Sequence, residues 1–179
     1  MSRNNISVPF GYEPPVETRK GTLIYYDTFE HVSEQELDLA ADVSMKLNFV
    51  KLVLYPLHEE TVRRMSKEPV ASYHKREKQL IDWKNSSGRQ GVVLETLEGK
   101  RKKYTPLEAA LRHLIEKYAA PFFLYVTPET ANQIASYSSF EEWIVKLRLL
   151  LTAAPAHPHP RLEKYRHRWK TLEEALTEQ

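Results

Sequence analysis

One stretch constrains the fold more than any other. A short apolar run, Gly21 to Tyr26, leads within a few residues into Ser33-Glu-Gln-Glu36. The run reads as a buried first strand. The S-x-x-E tetrapeptide is a capping box, in which serine and glutamate each bond the other's backbone N–H. It opens a helix whose apolar side holds Leu37, Ala40, Ala41, Val43 and Leu47. A strand running straight into a helix N-terminus is where α/β proteins hold phosphates, because the first N–H groups have no intrahelical acceptor.

The rest of the chain repeats this alternation. Phe49 to Tyr55 is β-rich and ends at Pro56, as a second strand. Residues 57–72 are charged and irregular, with one helical turn expected at Glu59 to Met65. A helix over Tyr73 to Lys84 stops at Asn85 to Gly88. Gln90 to Leu97 alternates as a strand, and Glu98-Gly99 reads as a turn. Thr105-Pro106, a cap followed by proline, starts a helix to about Tyr118. Pro121 to Val126 is another buried strand. Ser139 is expected to cap a helix from Phe140 to about Leu151. After the prolines between Ala153 and Pro160, a last charged helix is expected over Arg161 to Thr177. Its apolar seam would be Tyr165, Trp169, Leu172 and Leu176. Strands alternating with helices imply a mostly parallel sheet covered on both faces.

Composition narrows the function classes. A length of 179 residues suits one domain with a real core, and 41% hydrophobic with 28% charged residues is ordinary globular composition. No cysteine is present, which excludes disulfides and thiolate zinc sites. No apolar run approaches a membrane span and the N-terminus lacks a signal-peptide core, so a cytoplasmic protein with no membrane partner is expected. A net charge of +2 is too small to argue nucleic-acid binding by the whole chain. The basic runs Lys100 to Lys103 and Lys164 to Lys170 read first as a solvated loop and helix face, with a nucleic-acid-associated protein working through them as the least favoured alternative. His157 and His159, or His58 and His31 with their neighbouring glutamates, offer too few ligands to argue a metal site.

The stretch from Asp27 to Ala40 also resembles a known pattern. The nicotinate mononucleotide adenylyltransferases, within the nucleotidylyltransferase superfamily, carry G-T-F-D-P-x-H-x-G-H-L-x-x-A at a strand-to-helix turn. Laid on without a gap, Thr28, Phe29, Leu37 and Ala40 match, Glu30 stands for the aspartate and His31 for the proline. The two histidines fall on Ser33 and Glu36, and the glycine between them on Gln35. The likeness continues in order and spacing to about residue 151. Leu54-Tyr55-Pro56 resembles the end of the family's second strand, and Glu95 the glutamate its next strand often carries. Arg76 with Leu80 resembles its R-x-x-M-L helix start, and Lys103-Tyr104-Thr105 with Ala110-Leu111 its S-Y-T-x-x-T-L. Val126-Thr127-Pro128 stands where the family has G-x-D, and Ile134 through Tyr137 to Trp143 resembles L-x-x-W-x-x-x-x-x-L, with tyrosine for tryptophan.

The resemblance implies a Rossmann-like fold of the nucleotidylyltransferase type over residues 21–151. An extended arm would precede it (1–20), and a proline-rich connector with a C-terminal helix (152–179) would pack on the same domain. It implies a nucleotide-type cleft at the C-terminal ends of the first and fourth strands, with Tyr26, Thr28, Phe29, Arg76, Tyr104, Thr105, Thr127 and Tyr137 as ligand-binding positions. The expected ligand is a small nucleotide, ATP or NAD-type, with magnesium if catalysis survives, and a protein partner or second copy is the other expected occupant. In the family the two histidines contact the ATP phosphates and stabilise the departing pyrophosphate. Ser33 keeps a hydrogen-bond donor there without the charge. Glu36 brings a negative charge, and two like charges 4 Å apart repel by about 4 kcal/mol at an effective dielectric of 20. Gln35 adds a side chain where glycine lets phosphate approach the backbone. Only Glu129 could replace the aspartate of G-x-D, and the family's late S-S-T-x-I-R phosphate motif has no match from Pro155 to Arg168. A catalytically inactive relative is therefore expected.

Overall fold

The computed structural model describes residues 20–178, so the N-terminal arm expected over residues 1–20 lies almost wholly outside the described residues. The strands are β1 (Lys20–Asp27), β2 (Phe49–Pro56), β3 (Val92–Leu94), β4 (Phe122–Val126), β5 (Arg148–Leu151) and β6 (Trp169–Thr171). Every neighbouring pair is parallel, and the sheet order is β3-β2-β1-β4-β5-β6. This is the strand order of the doubly wound, Rossmann-like α/β folds. As expected, β1 is central, and it pairs with both β2 and β4.

The two faces of β1 explain how the helices divide. Successive side chains on a strand point to opposite faces. Leu23 and Tyr25 pack with α1 (Glu34–Lys46), α3 (Tyr73–Ser87) and α9 (Leu172–Thr177). Ile24 and Tyr26 pack with α2 (Glu59–Met65), α5 (Leu107–Lys117), α6 (Pro128–Ala135), α7 (Phe140–Trp143) and α8 (Pro160–Lys164). The sheet is thus apolar on both sides, as a parallel sheet requires. All five residues expected on the apolar side of α1 are buried. Among the described residues no helix is long and apolar enough to cross a membrane.

Several elements differ from expectation. The helix expected from Phe140 to about Leu151 ends at Trp143, and Arg148–Leu151 is a strand instead. Ser139 does not cap it, because its hydroxyl donates to the Glu108 carboxylate. Leu149, Leu150 and Leu151 are all buried, since β5 is covered on both faces, and such a run carries no period to separate strand from helix. The helix expected over Arg161 to Thr177 is broken into α8, a 3-10 turn (Arg166–Arg168), β6 and α9. Its supposed seam divides between the sheet faces: Tyr165 and Trp169 go to one, Leu172 and Leu176 to the other. Thr171 and Glu174 form a second capping box that restarts the chain as α9.

The strand expected over Gln90 to Leu97 is confined to Val92–Leu94. The Glu95 carboxylate accepts from the Leu97 N–H at 3.1 Å and turns the chain into α4 (Leu97–Arg101), where only a turn was expected. Thr105 does not cap α5, whose cap position is Pro106; the Thr105 hydroxyl accepts from Arg101 at 3.1 Å. Helix α6 follows β4 directly, with Thr127 as its cap and Pro128 in its first turn.

Candidate functional site

The candidate site is the edge of the sheet where the strands end, beginning with the turn after β1. The Asp27 carboxylate accepts from the Phe29 N–H at 2.9 Å and from the Thr28 hydroxyl at 3.2 Å. Burial raises the pKa of Asp27, against these bonds, which lower it. Phe29 then takes a left-handed conformation, with φ at 59°. That is strained for a bulky side chain and needs surrounding structure to hold it. The Phe29 ring supplies part of the restraint, buried with its centroid 4.7 Å from that of Tyr25.

The chain next enters α1 through the capping box. The Glu36 N–H donates to the Ser33 hydroxyl at 3.1 Å. The Ser33 N–H and hydroxyl both lie 3.1 Å from the same Glu36 carboxylate oxygen. The positive end of the α1 dipole therefore already faces a carboxylate, the position a bound phosphate would take.

Arg76 locks this turn from beneath. Its guanidinium is 1% exposed, yet it sits between three loops. Nη1 donates to the Thr28 carbonyl at 2.7 Å and the Leu57 carbonyl at 2.5 Å. Nε donates to the Ala71 carbonyl at 2.9 Å, and Nη2 to Glu59 at 3.3 Å. Burial lowers its pKa, while Glu59 and Glu30 work to hold the proton. Glu30 closes the same turn by accepting from the Ala71 N–H at 2.8 Å.

A second cluster lies beyond β2. Glu98 is fully buried and accepts from the Tyr55 hydroxyl at 2.6 Å, the Thr61 hydroxyl at 2.7 Å and the His58 N–H at 2.8 Å. Burial raises the Glu98 pKa, with those three donors pulling it back down. The Thr61 oxygen in turn accepts from the Thr105 N–H at 3.0 Å. Tyr55 stacks on Tyr26 with ring centroids 5.5 Å apart and planes 12° from parallel. His58 caps α2, its ring nitrogen accepting from Glu60 at 3.1 Å. His159 does the same for α8, accepting from Arg161 at 3.0 Å.

Six of the eight expected ligand positions fall into two groups. Thr28, Phe29 and Arg76 meet at the β1–α1 turn. Tyr26, Tyr104 and Tyr137 form the other, close enough that after burial the neighbouring phenols help raise the pKa of Tyr26, and Tyr104 that of Tyr137. Tyr26 and Thr105 are buried, at 1% exposure each. Tyr104 lies under the Arg64 guanidinium at 4.3 Å, and Thr127 is spent as a cap, accepting from Thr130 at 3.2 Å. A hollow of about 480 Å³ beside α1 is lined by Phe29, Val32, Leu37, Gln79 and Trp83 among others, and shares only Phe29 with the expected set.

The residues present do not fit a bound magnesium. Asp27, Glu30 and Glu36, the acids of the turn, are each held by N–H donors of the protein itself. No group of three potential metal ligands occurs among the described residues.

Sequence reasoning missed the Glu98 network and the second capping box. The box was readable as T-x-x-E. The network joins residues up to 44 apart, and no local signal announces it. No family model matches the chain, and no curated protein matches it significantly.

Proposed function

We propose that this chain is a nucleotidylyltransferase-like α/β protein that does not transfer adenylyl groups. It works by binding, either a small nucleotide-like ligand at the edge where the strands end or a protein partner, a second copy included. One observation carries this reading: Glu36 is folded onto the start of α1, bonded to Ser33. An incoming triphosphate would have to displace that carboxylate or approach it closely. Displacement gives up a cap of about 1 kcal/mol, and approach meets repulsion of several kcal/mol. Neither Ser33 nor Glu36 supplies the cation that leaving pyrophosphate needs.

The test is turnover with ATP, magnesium and nicotinate mononucleotide, following pyrophosphate. The expected result is release no faster than the uncatalysed control. Robust release that disappears on Ser33→Ala or Glu36→Ala overturns the reading in favour of an adenylyltransferase with replaced residues. A thermal-shift screen with ATP, NAD and nicotinate mononucleotide, with and without magnesium, separates the two kinds of binding. A saturable rise in Tm identifies a nucleotide ligand, flat curves throughout remove these nucleotides as ligands, and a dimer in analytical ultracentrifugation supports the second-copy version.

A further inference from the structure

At the opposite edge, where the strands begin, lies a hollow of about 520 Å³. That volume is within the range of small-molecule sites. Leu47, Phe49, Phe123 and Leu150 contribute apolar lining, with the two phenylalanine rings edge to face at 5.1 Å. Arg148 and Arg168 also line it. Arg168 is anchored: Nε donates to the Ile144 carbonyl at 3.0 Å, and Nη2 to those of Leu147 at 2.9 Å and Val145 at 3.2 Å. Those bonds fix the guanidinium in place without neutralising it.

The charges in this hollow do not balance. Arg148, the first residue of β5, makes no ion pair among the described residues, and it sits close enough to Arg168 for their charges to repel. Burial lowers the Arg168 pKa, and Arg148 lowers it further. The one carboxylate in the lining, Glu178, is held by Lys170. His167 lines the hollow as well. Two guanidiniums with no carboxylate paired to them among the described residues, lining a hollow with one apolar wall, are matched by a ligand with an anionic head and an apolar body.

We propose that this hollow binds a small amphipathic anion, its carboxylate or phosphate paired with Arg148 and Arg168 and its apolar body lying against Leu47 and Leu150. The proposal stands apart from the reading of the other edge and holds whether or not a nucleotide binds there.

Calorimetric titration of the full chain with decanoate, decyl phosphate and decanol, below micellar concentrations, tests it. Saturable one-to-one binding of at least one anion is expected, with decanol at least about tenfold weaker. Decanoate and decyl phosphate separate a carboxylate from a phosphate ligand. Arg148→Glu should weaken the anion by about tenfold or more without lowering the melting temperature, because Arg148 is exposed and its charge opposes that of Arg168. Arg112→Ala, which removes a cation that does not line this hollow, should change nothing. Absence of one-to-one binding, equal binding of decanol, or undiminished binding to Arg148→Glu overturns the proposal.

Discussion

Arg76 shows how much a single buried cation can organise. A guanidinium offers five donors in a rigid plane, and here four bonds reach Thr28, Leu57, Ala71 and Glu59. All four acceptors belong to the protein's own framework. Arg76→Met should therefore lower stability by about 3 kcal/mol or more, because buried carbonyls lose their donor and Glu59 its cation. Arg76→Lys should recover only part of the loss, since one ammonium cannot span all four acceptors. Urea midpoints of the two variants check both statements. The position of Arg76 at a helix start was legible in the sequence, but the bonds it makes were not. Its carbonyl acceptors at Leu57 and Thr28 lie 19 and 48 residues away, and only the closed sheet brings them within reach. The Ser33–Glu36 bonds, in contrast, span three residues and followed from the letters alone.

At the level of elements, two helices that leave the strand ends start in the same way. Helix α1 is closed by Ser33 and Glu36, and α9 by Thr171 and Glu174. In both, a carboxylate stands where a helix dipole would attract an anion. Arg166 makes a two-pronged pair with Glu174, 2.8 Å to each oxygen, and so ties the second box to the 3-10 turn before β6. Glu36→Ala and Glu174→Ala should each lower stability by about 1 kcal/mol, roughly additively because the boxes share no partner. Thermal melts of the single and double variants measure this. The same comparison shows why β6 escaped a reading of the sequence. Three residues, with Trp169 and Thr171 buried about an exposed Lys170, are too short for a period-2 signal amid helix-forming neighbours. β5 escaped for the opposite reason, its run of leucines being equally suited to a buried helix. The strands legible almost end to end, β1, β2 and β4, are flanked by clear breaks and are rich in aromatic and β-branched residues, while β3 was legible in place but not in length.

Across the whole molecule, stability is graded from the centre of the sheet outward. β1 pairs on both sides, while β3 and β6 are three-residue edge strands. Gly21 marks the tightest point: a Cβ there would lie 2.2 Å from the Pro121 carbonyl oxygen, so the β1–β4 pair closes only on glycine. Native-state hydrogen exchange should accordingly be slowest for Leu23 to Tyr25, Leu52 to Leu54 and Leu124, and faster by several orders of magnitude in α9. Equal protection of α9 and β1 would contradict a graded sheet.

The central place of β1 also sets a timetable for synthesis. A ribosome makes β1 first and β2 soon after, so one side of the strand finds its partner early. The other side waits for Phe122–Val126, about a hundred residues later. At roughly 5–20 residues per second, that is about 5–20 s of translation. Throughout that interval an apolar strand with an open edge is attached to the ribosome, in competition with other nascent chains and with chaperones. The middle of the sheet is closed only once the fourth strand has left the exit tunnel.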